Sequence, residues 1–136
     1  MKKRYVMLLS LLMCLALCSC GGEQTADGPQ LESAGSEIYT AKEINAAAEV
    51  VVQLFDEHFS GCTLTALRYP CDDAVAFQSW AAQYDADQAI ILVADFTVGE
   101  VGSDSALEPN STYEDWQWIL VRDQGGAWEA KTWGYG

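Results

Sequence analysis

The sequence predicts an α+β domain in which a long N-terminal helix packs on a curled antiparallel sheet of about four strands, with a second, short helix. Three features predict this fold. Apolar residues recur at helical spacing over residues 41–59, apolar residues alternate over residues 89–98, and the chain ends in a tryptophan-rich hairpin. Because the strands run next to one another and the helices are segregated from them, the pattern is typical of an antiparallel sheet.

The C-terminal hairpin has the largest potential for burial. Residues 116–122 and 127–133 each alternate in character, and each contains two tryptophans. The four residues 123–126 between them include two glycines, which favours a tight connection. Since aromatic rings bury more surface than other side chains, we expect the remaining elements to pack on this hairpin.

The first predicted helix covers residues 41–59. Thr40 and Glu43 have the spacing of a capping box, and Gly61 is typical of a residue just beyond a helix end. The apolar positions at helical spacing are Ile44, Ala47, Ala48, Val51, Val52, Phe55 and Phe59. One face of this helix is therefore suited to lie on a sheet.

A short strand and a short helix are predicted next. Residues 63–69 are rich in strand-forming residues, and Pro70 ends the strand. Asp72 or Asp73 would cap the second helix, which is expected to continue to about residue 84.

The run of residues 89–98 is the most apolar outside the N-terminal segment. Ile91 and Val93 place apolar side chains on the face opposite to Ile90 and Leu92, as expected for a strand that is central or covered. Residues 99–115 show no periodicity and predict a long loop with either a functional role or high mobility.

The first 19 residues have the features of a bacterial lipoprotein signal peptide. Residues 2–4 are basic, and residues 5–17 are almost wholly apolar but too short to span a bilayer comfortably. The motif Leu17-Cys18-Ser19-Cys20 resembles the lipobox. That resemblance implies cleavage after Ser19 and lipidation of Cys20, which would anchor the chain to the outer side of the cell membrane. The alternative is an ordinary signal peptide followed by soluble release.

Residues 20–37 are predicted to be a flexible tether, and residues 38–136 a single domain. The tether contains several glycines and acidic residues, with Leu31 as its one sizeable apolar side chain, so it has too little apolar surface to fold alone.

The charge of the chain limits its partners. Its formal net charge is −13, and removal of residues 1–19 would take away three bases and no acid, which gives −16. Such a surface repels nucleic acid and anionic lipid, so only the lipid on Cys20 would hold it at the membrane. Cations, basic peptides and uncharged sugars remain possible partners, although a solubilising role alone also explains the charge.

No catalytic residue, metal site or cofactor is predicted. His58 and Cys62 could form a nucleophile pair only on a turn at a helix end, and the acidic residues do not match the spacing of an EF-hand loop. Cys62 and Cys71 could form a disulfide in an exported protein. An extended strand over residues 63–69 would separate them by roughly 25–30 Å, far beyond disulfide reach, so we expect two free thiols.

Five segments of the chain are similar to an uncharacterised family of small lipoprotein domains from Gram-positive bacteria. These segments are GCTLT at 61–65, DQAIILVADFTV at 87–98, NSTY at 110–113, WQWILVR at 116–122 and TWGYG at 132–136. The resemblance implies a lipoprotein and brings no activity with it. The order of helices and strands also resembles NTF2-like and cystatin-like domains, which bears on the fold alone.

The tryptophans indicate where a ligand would bind. Trp116, Trp118 and Trp128 are expected to lie mainly in the core, with one or two rings exposed at an open end of the sheet beside the long loop. Tyr113, Asp115, Trp116 and Trp128 are the candidate ligand-binding residues, for a sugar or a cationic group. A small ligand-binding or sensing module is the leading hypothesis. The alternatives are a protein-interaction or inhibitor-like domain that binds an unknown protein, and a small hydrolase-like enzyme.

Replacing Cys20 with alanine is expected to abolish lipidation, because Cys14 and Cys18 follow residues that do not fit the lipobox. Metabolic labelling of expressing bacteria with a fatty acid checks this, with Cys18→Ala as the control that should keep the label. Label retained on Cys20→Ala would contradict the assignment.

Overall fold

The computed structural model describes residues 29–100 and 107–135, which form one five-stranded sheet and two helices. In chain order the elements are β1 (Leu31–Ser33), α1 (Ala41–His58), β2 (Cys62–Tyr69), α2 (Ala74–Gln83), β3 (Gln88–Val98), β4 (Thr112–Arg122) and β5 (Glu129–Gly134). The sheet is open, with strand order β1-β2-β3-β4-β5, and all neighbours are antiparallel except β1 and β2. The α+β class is confirmed, whereas the predicted number of about four strands is one too low.

The additional strand, β1, lies within the segment predicted to be a flexible tether. Residues 31–33 pair in parallel with residues 67–69 of β2, and Leu31 packs against the core. The following residues are held by Asp72, whose carboxylate accepts hydrogen bonds from Ser36 Oγ (2.5 Å) and from the Glu37 amide (2.8 Å). A single apolar side chain is a weak indication of a strand in the sequence. Residues 31–33 form one because the edge of β2 supplies hydrogen-bond partners for their backbone. Residues 20–28 of the predicted tether lie outside the described residues.

Helix α1 is confirmed to within one residue. The Thr40 hydroxyl accepts a hydrogen bond from the Glu43 amide (3.2 Å), and Glu43 Oε2 accepts one from the Thr40 amide (2.7 Å). This is the predicted capping box. The buried positions of the helix are Ile44, Ala47, Ala48, Val51 and Phe55. Only β1 precedes α1 among the described residues, so the helix is not the first element of the fold.

The predicted elements between Gly61 and residue 84 are also confirmed. Strand β2 begins at Cys62 and ends at Tyr69, two residues before Cys71, and no disulfide joins the two cysteines. Asp73, rather than Asp72, caps α2, since its side chain accepts a hydrogen bond from the Ala76 amide (3.0 Å).

Strands β4 and β5 form the predicted hairpin with shifted bounds. Trp118 pairs with Leu92 on one side and with Trp133 on the other, so β4 is covered by strands along both edges. β4 begins at Thr112 instead of residue 116, which shortens the predicted loop over residues 99–115. A bulge opposite β3 explains the difference, because Asp115 adopts a positive φ of 56° and interrupts the alternation. Residues 101–106 of the loop lie outside the described residues.

The two helices cover opposite faces of the sheet. On the α1 face, Phe55 and Phe59 each contact Phe96 of β3, with ring centroids 5.4 Å apart in both pairs. On the α2 face, Trp80 lies beside Ile119 of β4. The side chains of β3 alternate between these two faces of the sheet. Its residues on the α1 face are Ile90, Leu92, Ala94 and Phe96, and those on the α2 face are Ala89, Ile91, Val93 and Asp95.

An ion pair between Arg122 and Glu43 joins β4 to the start of α1. Arg122 Nη2 lies 2.6 Å from Glu43 Oε1, and its Nε donates to Gln88 Oε1 at 2.7 Å. The guanidinium also lies 4.3 Å from the ring centroid of Trp128, whose indole N–H donates to the Glu43 carbonyl (3.0 Å). The Arg122 side chain is only 9% exposed, so all of these contacts are largely shielded from water.

Truncation of Trp118 is expected to destabilise the fold. Trp118 is fully buried and lies 5.7 Å from Phe59 of α1, so Trp118→Ala should lower the free energy of unfolding by about 3–5 kcal/mol. Tyr135→Ala is the matched control, because Tyr135 is 63% exposed and its loss should cost about 1 kcal/mol or less. Urea denaturation measures both values. A Trp118→Ala protein that unfolds at the same urea concentration as the parent would contradict this assignment of the core.

Candidate functional site

Two of the four predicted ligand-binding residues come together, on the α1 face. The rings of Tyr113 and Trp116 are 5.7 Å apart, and each also contacts Phe96, at 5.2 Å and 5.4 Å. Both side chains are half-buried in an aromatic cluster that continues from the core to the end of the sheet. Their position is consistent with packing as their main role.

Trp128 lies away from that pair. It is 94% buried and lies beside Tyr39 and Arg122, near the start of α1. Its indole N–H already donates a hydrogen bond to the Glu43 carbonyl. Sequence reasoning placed it in one opening with Trp116 because both belong to the hairpin. The long strands instead carry the two rings to different parts of the sheet, and Trp128 acts as a structural contact.

Asp115 is separated from Tyr113 and Trp116 by the sheet itself. Its carboxylate lies on the α2 face, where Oδ1 is 3.0 Å from Arg68 Nη2. Its amide donates to Asp95 Oδ1 at 2.9 Å. The bulge turns this residue away from its neighbours along the strand. The opening predicted from the sequence is therefore not formed as a single site.

The cluster of Arg68, Asp95 and Asp115 is the principal charged group on the α2 face. Arg68 binds Asp95 with two hydrogen bonds, at 2.7 Å and 2.8 Å, in the bidentate geometry typical of strong arginine–carboxylate pairs. These hydrogen bonds lower the pKa of the Asp95 carboxyl below its ordinary value. Hydrogen bonding to Asp95 in turn raises the pKa of Arg68, so both groups remain charged across the physiological range.

A groove lies beside this cluster, between α2 and the C-terminal hairpin, with a volume of about 300 Å³. The residues that border it are Trp80, Gln117, Ile119, Thr132, Trp133, Gly134 and Tyr135. The rings of Trp133 and Tyr135 lie on the α1 face, beside Phe59 and Trp116, so the side chains that face the groove are those of Trp80, Gln117, Ile119 and Thr132. One aromatic ring, one aliphatic side chain and two neutral hydrogen-bonding groups are a combination that suits a small ligand.

Strand register explains how the floor of the groove forms. Ile119 of β4 pairs with Thr132 of β5, and Gln117 pairs with Gly134, so these side chains share the α2 face. The buried tryptophans of β4 alternate with them and face α1. Helix α2 then places Trp80 over the floor.

The rings of Trp133 and Tyr135 pack on the α1 face and not in the groove. Trp133 stacks on the fully buried Trp118, with centroids 4.8 Å apart and planes inclined by 29°, and lies 5.8 Å from His58 of α1. Tyr135 meets Trp116 edge to face at 5.0 Å. Of the described residues that border the groove, Trp80 is therefore the one that presents an aromatic ring to it.

Most of this groove was not predicted from the sequence, although the alternation of the two hairpin strands indicated part of its floor. Gln117 and Thr132 are the polar members of the alternating strands, so pairing the two strands would have placed them together on the face opposite Trp118. Trp80 was assigned to a helix face, but nothing local showed which strand that helix would cover. A second cavity, of about 120 Å³ beside Tyr39 and Phe77, is smaller and largely apolar.

Metal-binding clusters and membrane-spanning helices are both absent from the described part of the chain. Within residues 29–100 and 107–135, no group of three or more His, Cys, Asp or Glu side chains could hold a metal ion. No helix in those ranges is long and apolar enough to cross a membrane. His58 is exposed, with its ring 5.8 Å from that of Trp133.

Comparisons with protein-family models, with curated proteins and with solved structures give no match to this chain. The function must therefore be argued from the groove and its surroundings.

The stability of the domain is expected to fall at both pH extremes. Hydrogen bonds lower the pKa values of three carboxyl groups: Glu43 through the Thr40 amide, Asp72 through the Ser36 hydroxyl and Asp95 through Arg68. Each contribution is complete above the unfolded pKa, near 4, and is lost as the pH falls through the folded value.

At alkaline pH the sign is reversed. Burial raises the pKa values of the Tyr39 and Tyr69 hydroxyls, so their contribution is complete below about pH 10 and is lost above it. Urea denaturation over a pH series should give a plateau between about pH 5 and 9. Between pH 5 and 2, the free energy of unfolding of Asp95→Asn should fall by less than that of the parent. A free energy of unfolding that stays constant down to about pH 2 would contradict this account.

Proposed function

We propose that this protein is a membrane-tethered, extracytoplasmic lipoprotein domain that binds a small, ring-shaped ligand of the saccharide class. The observation that carries the proposal is the groove on the α2 face, with the ring of Trp80 over a floor that contains neutral polar side chains. The Cys20 lipid anchor and the resemblance to small Gram-positive lipoproteins are part of the proposal.

The chemistry of the groove favours a sugar. Trp80 presents a flat ring on which the apolar face of a sugar can stack. Gln117 and Thr132 supply donors and acceptors for hydroxyl groups without adding charge. The negative net charge of −13 disfavours anionic ligands but leaves neutral ones unaffected.

The position of the groove also supports binding of a ligand outside the membrane. β1 receives the chain that follows Cys20, whereas the groove lies at β4 and β5, at the opposite edge of the sheet. Four strand spacings separate β1 from β5, or about 19 Å. The eleven residues from Cys20 to Leu31 span at most about 35–40 Å. A tether entering at β1 would leave the groove facing away from its own point of attachment.

A protein-interaction role is the second candidate. It is favoured by the free edge of β5, where Tyr135 is 63% and Trp133 is 36% exposed. An extended segment of a partner could pair with that edge and cover both rings. A saccharide would instead contact the floor residues Gln117 and Thr132. Saccharide binding therefore depends on the α2 face, whereas pairing with a partner depends on the edge of β5.

Mutation of Trp80 is expected to weaken saccharide binding. The soluble domain should bind at least one neutral oligosaccharide on an array that includes tetramers of glucose and of N-acetylglucosamine. Trp80→Ala should reduce its affinity about tenfold by calorimetry, the equivalent of one lost stacking contact.

Val75→Ala is the control for this experiment, because Val75 is on the same helix as Trp80 but is 80% exposed and outside the groove. Its affinity should equal that of the parent. Absence of binding to every neutral saccharide, or unchanged affinity in Trp80→Ala, would overturn the proposal.

A further inference from the structure

The groove and the charged cluster are neighbours on the α2 face. Strand register places Arg68, Val93 and Gln117 in one row across β2, β3 and β4. Gln117 forms part of the groove floor, and Asp115 precedes it on β4 with its carboxylate on the same face. Two residues of a strand cover at most about 7 Å. A ligand seated on Gln117 therefore needs to extend only that far to reach Asp115.

The charges of this cluster do not cancel. One guanidinium, from Arg68, faces two carboxylates, from Asp95 and Asp115. Asp95 takes both ends of the guanidinium in short hydrogen bonds, whereas Asp115 receives a single one, at 3.0 Å. The Asp115 side chain is 83% exposed, so most of its acceptor positions remain open to a ligand.

Asp115 is also fixed in position. Its backbone has a φ of 56°, a conformation that costs energy for a residue other than glycine. The bulge opposite β3 and the hydrogen bond from its amide to Asp95 hold it there. The carboxylate is thus presented beside the groove by a rigid strand, which reduces the entropy lost on binding.

We propose that Asp115 binds a protonated amine on the ligand, so that the saccharide unit selected by this site is an amino sugar with a free amino group. This inference rests on the proposed function, since it assigns a specificity-determining residue to the same groove. Arg68 serves as a positioning residue for Asp115, because Asp95 already occupies both ends of its guanidinium.

The composition of the surroundings supports a cationic substituent. No basic side chain lines the groove. Of those nearby, Arg68 is paired with two carboxylates, and Lys131 is paired with Glu129. A carboxylated or phosphorylated sugar would meet Asp115 without a free cation to offset the repulsion. An amine would instead gain a charge-assisted hydrogen bond.

Two tetrasaccharides of the same linkage test the inference, one of glucose and one of glucosamine, which differ in a hydroxyl or an amino group at one carbon. Calorimetry at mildly acidic pH and low salt should show that the parent binds the glucosamine tetramer about three- to fivefold more tightly. Asp115→Asn should remove this preference while keeping the affinity for the glucose tetramer. Raising the salt concentration should reduce the preference in the parent.

Glu49→Gln is the matched control, because it removes the same charge from the exposed surface of α1, on the other side of the sheet. It should keep the preference. An equal loss in Glu49→Gln and Asp115→Asn would assign the preference to the overall charge and overturn the role of Asp115.

The remaining outcomes separate the two proposals. If Trp80→Ala weakens the binding of both tetramers while the parent binds them equally, the groove is a saccharide site and the Asp115 inference is wrong. If the parent binds neither tetramer, the inference is overturned together with this use of the groove.

Discussion

The contact between Arg122 and Glu43 determines how the rest of the domain is arranged. Glu43 completes the capping box of α1 and also accepts the guanidinium of Arg122 at 2.6 Å, while its carbonyl accepts the indole of Trp128. The first turn of α1, the end of β4 and the approach to β5 therefore meet at one residue. Because these contacts meet at one residue of the first turn, this junction helps to hold α1 on one face of the sheet.

Fixing α1 on one face leaves the other face to α2 and the groove. The rings of the hairpin follow the same division, since Trp118 faces α1 while Gln117 and Ile119 face α2. Trp133 pairs with Trp118 and stacks on it, so its ring belongs to the α1 face. The floor of the groove is formed by the same packed strands that carry this aromatic core, which favours a preformed site over one that must be ordered by its ligand.

The local parts of this structure were predictable from the sequence, and the non-local parts were not. Helix α1 and strands β2 and β3 follow from periodicity and capping, whose signals lie within a few residues of one another. β1 depends on the edge of a strand about 36 residues later in the chain, and a three-residue segment carries no periodicity of its own. The predicted site failed for a related reason. The bulge at Asp115 reverses the face on which that carboxylate lies, and only the register of β3 and β4 shows it.

The central claim is that ligands bind on the α2 face and not among the aromatic residues of the α1 face. The five tryptophans provide five indole N–H signals for nuclear magnetic resonance of the domain labelled with nitrogen-15. During titration with a bound tetrasaccharide, the signal of Trp80 should shift, while those of Trp116, Trp118 and Trp128 stay in place. Shifts confined to Trp116 or Trp128, with Trp80 unaffected, would contradict the account.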